Sequence, residues 1–76
     1  MTLADMKEGE IATVLNITGY GAIKQRLLDM GITKDTIIEV KKYAPLKDPV
    51  QISVKGYSLA LRVTESRLIH VRKTNS

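Results

Sequence analysis

The chain has 76 residues, room for one domain, and a domain of that size buries only about 60% of the surface its unfolded chain exposes. Hydrophobic residues are 43% and charged residues 26%, a globular rather than a disordered balance, and the absence of cysteine excludes disulfides, thiolate metal sites and cysteine nucleophiles. The net charge of +4 comes from basic residues scattered from Lys7 to Lys73, which reads as a solvated surface and leaves room for an acidic partner.

In chain order, "TLADMKEGE" can form a turn capped by Thr2 or Asp5, with Leu3 and Met6 plugging one end of a core. "GEIATVLNI" predicts a first strand, Gly9 to Ile17. Ile11, Thr13, Leu15 and Ile17 share one face, and Ala12 and Val14 the other. Past Gly19 and Gly21, helical spacing puts Ile23, Leu27 and Met30 on one apolar face, which Leu28 broadens. Gly31 then stands where a helix exits through the left-handed conformation. That exit predicts a Schellman motif, with the Ile32 N–H bonded to the Leu27 carbonyl and the two side chains in contact.

"TKD" turns the chain into a second strand, Thr36 to Tyr43. Ile38 and Val40 lie on one face, and Ile37, Glu39 and Tyr43 on the other. Pro45 and Pro49 stiffen the loop "APLKDP". "VQISVK" alternates with Val50, Ile52 and Val54 inward, and "SLALRV" answers with Leu59, Leu61 and Val63. The expected connection is Gly56-Tyr57, with glycine first in a type II′ turn. Thr64 is the expected cap of a single helical turn, and "LIHVRK" is the last strand. Residues 1–73 read as the domain and 74–76 as a disordered tail. Short strands with turn signals at this spacing predict a mainly β fold, a small antiparallel barrel covered at one mouth by the helix.

Catalytic chemistry is hard to find. His70 is the sole histidine and has no neighbouring ligand set, so neither a metal site nor histidine acid–base work is expected. The carboxylates are scattered, and "GYG" before the helix lacks the pattern of a phosphate loop. Arg62 lies between apolar residues, packed with a carboxylate such as Asp29 or Glu65. No cofactor is expected, and an enzyme is not expected. A small-barrel nucleic-acid-binding or transcription-regulatory module is the alternative, since small barrels often bind nucleic acid. Single-strand binders interleave basic and stacking aromatic residues, however, and Tyr20, Tyr43 and Tyr57 fall on separate turns or strand ends. The N-terminal stretch has no secretory pattern, no window approaches the ~18 apolar residues of a membrane span, and the lack of cysteine favours a cytoplasmic setting.

"RLLDMGI", then "APLKDPVQISVKGYSLALR", then "ESRLIHV", in that order and spacing, resembles the FeoA family from about Leu3 to Val71. The helix–glycine corner, the P-x-x-D-P loop and the G-x-x-x-A-L-R hairpin carry the resemblance together. It implies an SH3-like antiparallel β-barrel with one α-helix inserted after the first strand and a short helical turn before the last. It implies a non-enzymatic accessory or regulatory protein of ferrous iron uptake, with a family label of transition-metal binding. The implied partner is FeoB, a membrane ferrous iron transporter whose cytoplasmic G-protein region it would bind, modulating transport or GTP turnover. The expected location is the cytoplasm, peripheral to the membrane through that partner, with a weak homo-oligomer left open. Two loop tips depart from the family: Lys34-Asp35 stands where it often has proline–glycine, and Lys47 where it often has glycine. Candidate partner-binding residues are Tyr20, Lys24, Leu28, Leu46 and Lys47. Gly31, Leu27, Ile32 and Gly56 are the expected structural positions.

Overall fold

A computed structural model describes residues 1–74. A 3₁₀ turn at Leu3–Asp5 precedes β1 (Ile11–Ile17), α1 (Gly21–Asp29), β2 (Ile37–Tyr43), β3 (Val50–Val54), β4 (Tyr57–Leu61), α2 (Val63–Ser66) and β5 (Ile69–Thr74). β5 thus includes Thr74, and the rest of the expected tail lies outside the described residues.

The strands form one five-stranded antiparallel sheet in the order β4-β3-β2-β1-β5. The fold is mainly β, with helices inserted after the first strand and before the last, but the expected barrel is not closed. Closure would require β4 to pair with β5, and these strands end the sheet instead. The chain's own start sits on the outer edge of β5. The Val71 N–H donates to the Met1 carbonyl at 3.0 Å, and Thr2 bridges to His70.

Two bulges decide which side chains reach the core. Between Val14 and Asn16 the register of β1 against β5 slips, leaving Leu15 unpaired. Ala12 and Val14 are buried before the slip and Ile17 after it, while Leu15 is exposed. The simple alternation of Ile11, Thr13, Leu15 and Ile17 therefore fails. The second slip, between Val40 and Lys42, turns Tyr43 away from the outer face of Ile37 and Glu39. Tyr43 pairs with buried Val50 and donates its hydroxyl to the Met6 carbonyl.

The hairpin register also differs from expectation. Val54 pairs with Tyr57, so the two-residue turn is Lys55-Gly56. Both turn residues have positive φ, 51° and 87°, as a type I′ turn requires; type II′ would need only the first. Gly56 is thus the second turn residue.

The inner face carries Val14, Ile38, Val40, Ile52 and Val54, closed at one side by Leu3 and Met6 and at another by Leu27 and Ile32. At the end of α1, the Ile32 N–H donates to the Leu27 carbonyl at 3.1 Å and the Gly31 N–H to the Leu28 carbonyl at 2.9 Å. Gly31 has φ 88°, and both Leu27 and Ile32 are fully buried. These two bonds are the Schellman pair that satisfies the last carbonyls of a helix.

Candidate functional site

The carboxylates explain much of the local geometry. Asp5 accepts from the Thr2 N–H, Glu8 from the Tyr43 N–H, and Glu10 from the Lys7 N–H. Asp48 reaches from the β2–β3 loop to the Val63 N–H at 3.2 Å, serving the start of α2 from outside. Glu65 is buried; it accepts from the Arg62 N–H at 2.9 Å and pairs with the Arg26 guanidinium at 2.8 Å. The cap position of α2 is Arg62, with Thr64 already inside the helix. Arg62 meets Glu65 through its main-chain N–H, while the ion pair is made by Arg26, which ties α1 to α2.

Glu10 also pairs with Lys73 across β1 and β5. That side-chain bond, helped by the Lys7 N–H, holds the Glu10 carboxyl below its ordinary value. Burial pushes the Tyr43 phenol up, and nearby Asp5, Glu10 and Glu8 add to it. Asp29 accepts from Gln25, and Glu39 pairs with Lys41. Among the described residues, Asp35 is the one carboxylate whose side chain makes no hydrogen bond or ion pair. The other seven acids are engaged within the fold. Lys24, Lys34, Lys42, Lys47, Lys55 and Arg67 form no ion pair among the described residues.

The expected partner-binding residues fall into two places. Tyr20, 90% exposed, precedes α1, and Lys24 lies one turn into it. Leu28 is half-buried and packs against the core. Leu46, 89% exposed, and Lys47 lie on the β2–β3 loop. They line an open groove with Met6, Tyr43, Val63 and Arg67, and no residue of α1 lines it. The five do not converge on one spot: Leu46 and Lys47 share the groove with Val63 and Arg67, and Tyr20, Lys24 and Leu28 do not reach it. Sequence periodicity missed Ile23, placed on the core face yet 52% exposed, because the helix presses only its C-terminal half on the sheet. Nothing local in the sequence signals the Asp48–Val63 and Arg26–Glu65 contacts, which join residues from separate elements.

Of the tyrosines, Tyr43 and Tyr57 donate their hydroxyls to the Met6 and Met30 carbonyls, and Tyr20 stands alone in solvent. The three do not assemble a stacking face. His70 is half-buried, with its Nε2 3.2 Å from the Thr18 hydroxyl. Among the described residues no group of three or more His, Cys, Asp and Glu is placed to hold a metal ion, and no helix is long and apolar enough to cross a membrane.

The class defined by these features is a small open-sheet module whose polar side chains hold the fold and whose exposed apolar and cationic residues are available for contact. The chain belongs to the FeoA family: the FeoA domain model matches residues 1–73. This is a small bacterial accessory domain of ferrous iron transport. The chain is 32% identical over 76 residues to the Fe(2+) transport protein A/Fe(2+) transporter FeoB fusion protein of Porphyromonas gingivalis, covering all of this chain and 9% of that protein. The solution structure of an FeoA-like protein from Clostridium acetobutylicum superposes with a TM-score of 0.93 at 29% identity, covering 100% of this chain and 88% of that one. The FeoA protein of Chlorobium tepidum gives 0.91 at 31% identity, covering 99% and 71%.

Proposed function

We propose that this chain is a non-enzymatic accessory protein of ferrous iron uptake that binds the cytoplasmic G-protein region of an FeoB-type transporter and modulates transport or GTP turnover. The observation that carries this is the Porphyromonas gingivalis relative, named as a fusion of transport protein A with the FeoB transporter and matching this chain from end to end. A covalent link holds two modules at high effective concentration, so neither needs a large contact area. Where the two are separate chains, contact area has to replace the link. Tyr20 and Leu46 are the anchors in this reading, because large side chains left almost fully exposed gain most from burial against a partner. Lys24 and Lys47 flank them and steer an acidic surface into place. Leu28 shapes the helix face from below.

The test is titration of the chain against the isolated transporter G domain, with GTP hydrolysis followed in the same samples. Tyr20→Ala and Leu46→Glu are each expected to weaken binding about tenfold or more while leaving the melting temperature unchanged. Absence of binding by the unaltered chain, together with normal iron uptake in a deletion strain, would defeat the proposal.

A further inference from the structure

The two ends of the sheet are treated differently. The outer edge of β5 is occupied by Met1 and Thr2, whereas β4 ends the sheet in the open. In a hairpin with a two-residue turn, the residues flanking the turn exchange both main-chain bonds, and the pattern alternates along the ladder. Val54–Tyr57, Ile52–Leu59 and Val50–Leu61 are therefore the bonded pairs. Ser58 and Ala60 turn their N–H and C=O groups outward. Both are exposed, and among the described residues neither makes a main-chain bond to any segment other than β3.

Open edges are normally blunted by a charged side chain, a proline or a bulge. "YSLAL" carries no charge and no proline, and its pairing with β3 runs without a slip. The hairpin from Val50 to Arg62 contains Lys55 and Arg62 and no carboxylate. These cations bracket β4 at its two ends, and neither forms an ion pair among the described residues. On the inner side of the rim lie Tyr57, 45% exposed, and half-buried Leu59, which offer apolar surface beside any strand laid against the edge.

We propose that β4 accepts an extended segment of a partner protein as a sixth strand, and that this segment carries carboxylates toward its two ends and apolar side chains facing Tyr57 and Leu59. Main-chain bonds to Ser58 and Ala60 supply the affinity, and Lys55 and Arg62 select the charge. A second copy of this chain is disfavoured on that edge. Two antiparallel β4 strands would place Lys55 and Arg62 of one copy against the same cations of the other.

The probe is a short blocked peptide of alternating Glu and Val, compared with its Lys–Val counterpart and with an N-methylated Glu–Val version. Binding and amide hydrogen exchange are read by NMR on the full chain. The Glu–Val peptide is expected to slow exchange at Ser58 and Ala60, and N-methylation to weaken binding about tenfold, the worth of a pair of main-chain bonds. Ala60→Pro removes an outward N–H without touching the ladder to β3, so it should abolish binding in a protein whose spectrum otherwise shows it folded. Equal binding of the N-methylated or Lys–Val peptide, or unchanged exchange at those two amides, overturns the proposal. Protection that rises with protein concentration in the absence of peptide also overturns it, because a second copy would then be the occupant.

Discussion

Gly31, Lys47 and Asp35 all adopt positive φ, at 88°, 64° and 71°, yet substitution should move them in opposite directions. A side chain in the left-handed region costs roughly 1–2 kcal/mol. At Gly31 an added Cβ would also come within 3.0 Å of the Tyr57 hydroxyl, which is held by its bond to the Met30 carbonyl. Gly31→Ala should therefore cost about 1–2 kcal/mol, and a thermal melt should fall by roughly 4–8 °C per kcal/mol for a domain of this size. Lys47→Gly should raise stability, by about 0.5–1 kcal/mol, since the strain is already present and glycine removes it. Lys47 and Asp35 both sit at loop tips, and both carry this strain. A melt in which Lys47→Gly is neutral or destabilising would contradict that account. Tyr43 gives a pH prediction. Its phenol is raised above the ordinary 10.0 by burial first and by its acidic neighbours second. The stability tied to that shift is whole below pH about 10 and is lost as pH climbs from there through the folded value. Tyr43→Phe should lose about 1 kcal/mol at neutral pH with the Met6 bond, and its stability should fall less steeply in alkali. Urea midpoints across that pH range test both parts; parallel profiles for the two proteins would refute the second.

The 3₁₀ turn shows how an element can matter more than its length. Leu3 and Met6 are buried, Met1 and Thr2 cover the edge of β5, and the Met6 carbonyl holds Tyr43. Leu3→Ala should cost about 2–5 kcal/mol, against a total stability of roughly 5–15 kcal/mol for a domain. Chemical denaturation measures it, and a loss below about 0.5 kcal/mol would mean that the segment is an ornament on the sheet. The sequence already marked Leu3 and Met6 as apolar plugs, and it located each strand and α1, because apolar periodicity is local; it ran the fourth strand on to Val63, however, whereas β4 ends at Leu61 and Val63 opens α2. It did not reveal the bulges at Leu15 and Lys41, since each inserts one residue without changing composition. The turn at Lys55-Gly56 was misplaced by one residue for a related reason: "KGY" offers glycine to either turn type, and only the pairing of Val54 with Tyr57 decides between them.

At the scale of the whole molecule, two things were beyond the sequence: the open sheet and the division of the candidate site. Barrel closure is a matter of pairing between distant stretches: β5 meets Met1 and Thr2, more than sixty residues away in the chain, and β4 ends the sheet with its outer edge unpaired. Leu28 and Leu46 are legible as apolar residues that periodicity does not send inward, and only the folded chain shows Leu28 packed on the core and Leu46 in solvent. The Arg26–Glu65 pair, which joins α1 to α2, is equally invisible to local pattern. That tie belongs to a wider asymmetry. Six of the eight acids face backbone N–H groups or partner cations within the fold, while many of the cations face solvent. Replacing an acid should therefore cost stability, and replacing a free lysine should not. Asp48→Ala removes the acceptor at the start of α2 and should cost about 0.5–2 kcal/mol. Glu65→Ala leaves the Arg62 N–H without its acceptor and Arg26 without its partner, and should cost about 1–3 kcal/mol; Arg26 is largely exposed, so most of that comes from the buried end. Lys34→Ala and Lys42→Ala should stay within about 0.5 kcal/mol of the unaltered chain. Denaturant midpoints for the four variants decide the matter, and equal losses in both groups would refute the asymmetry. If the asymmetry holds, the net charge of +4 lies outward, and any partner of this domain meets a surface most of whose negative charge is already engaged within the fold.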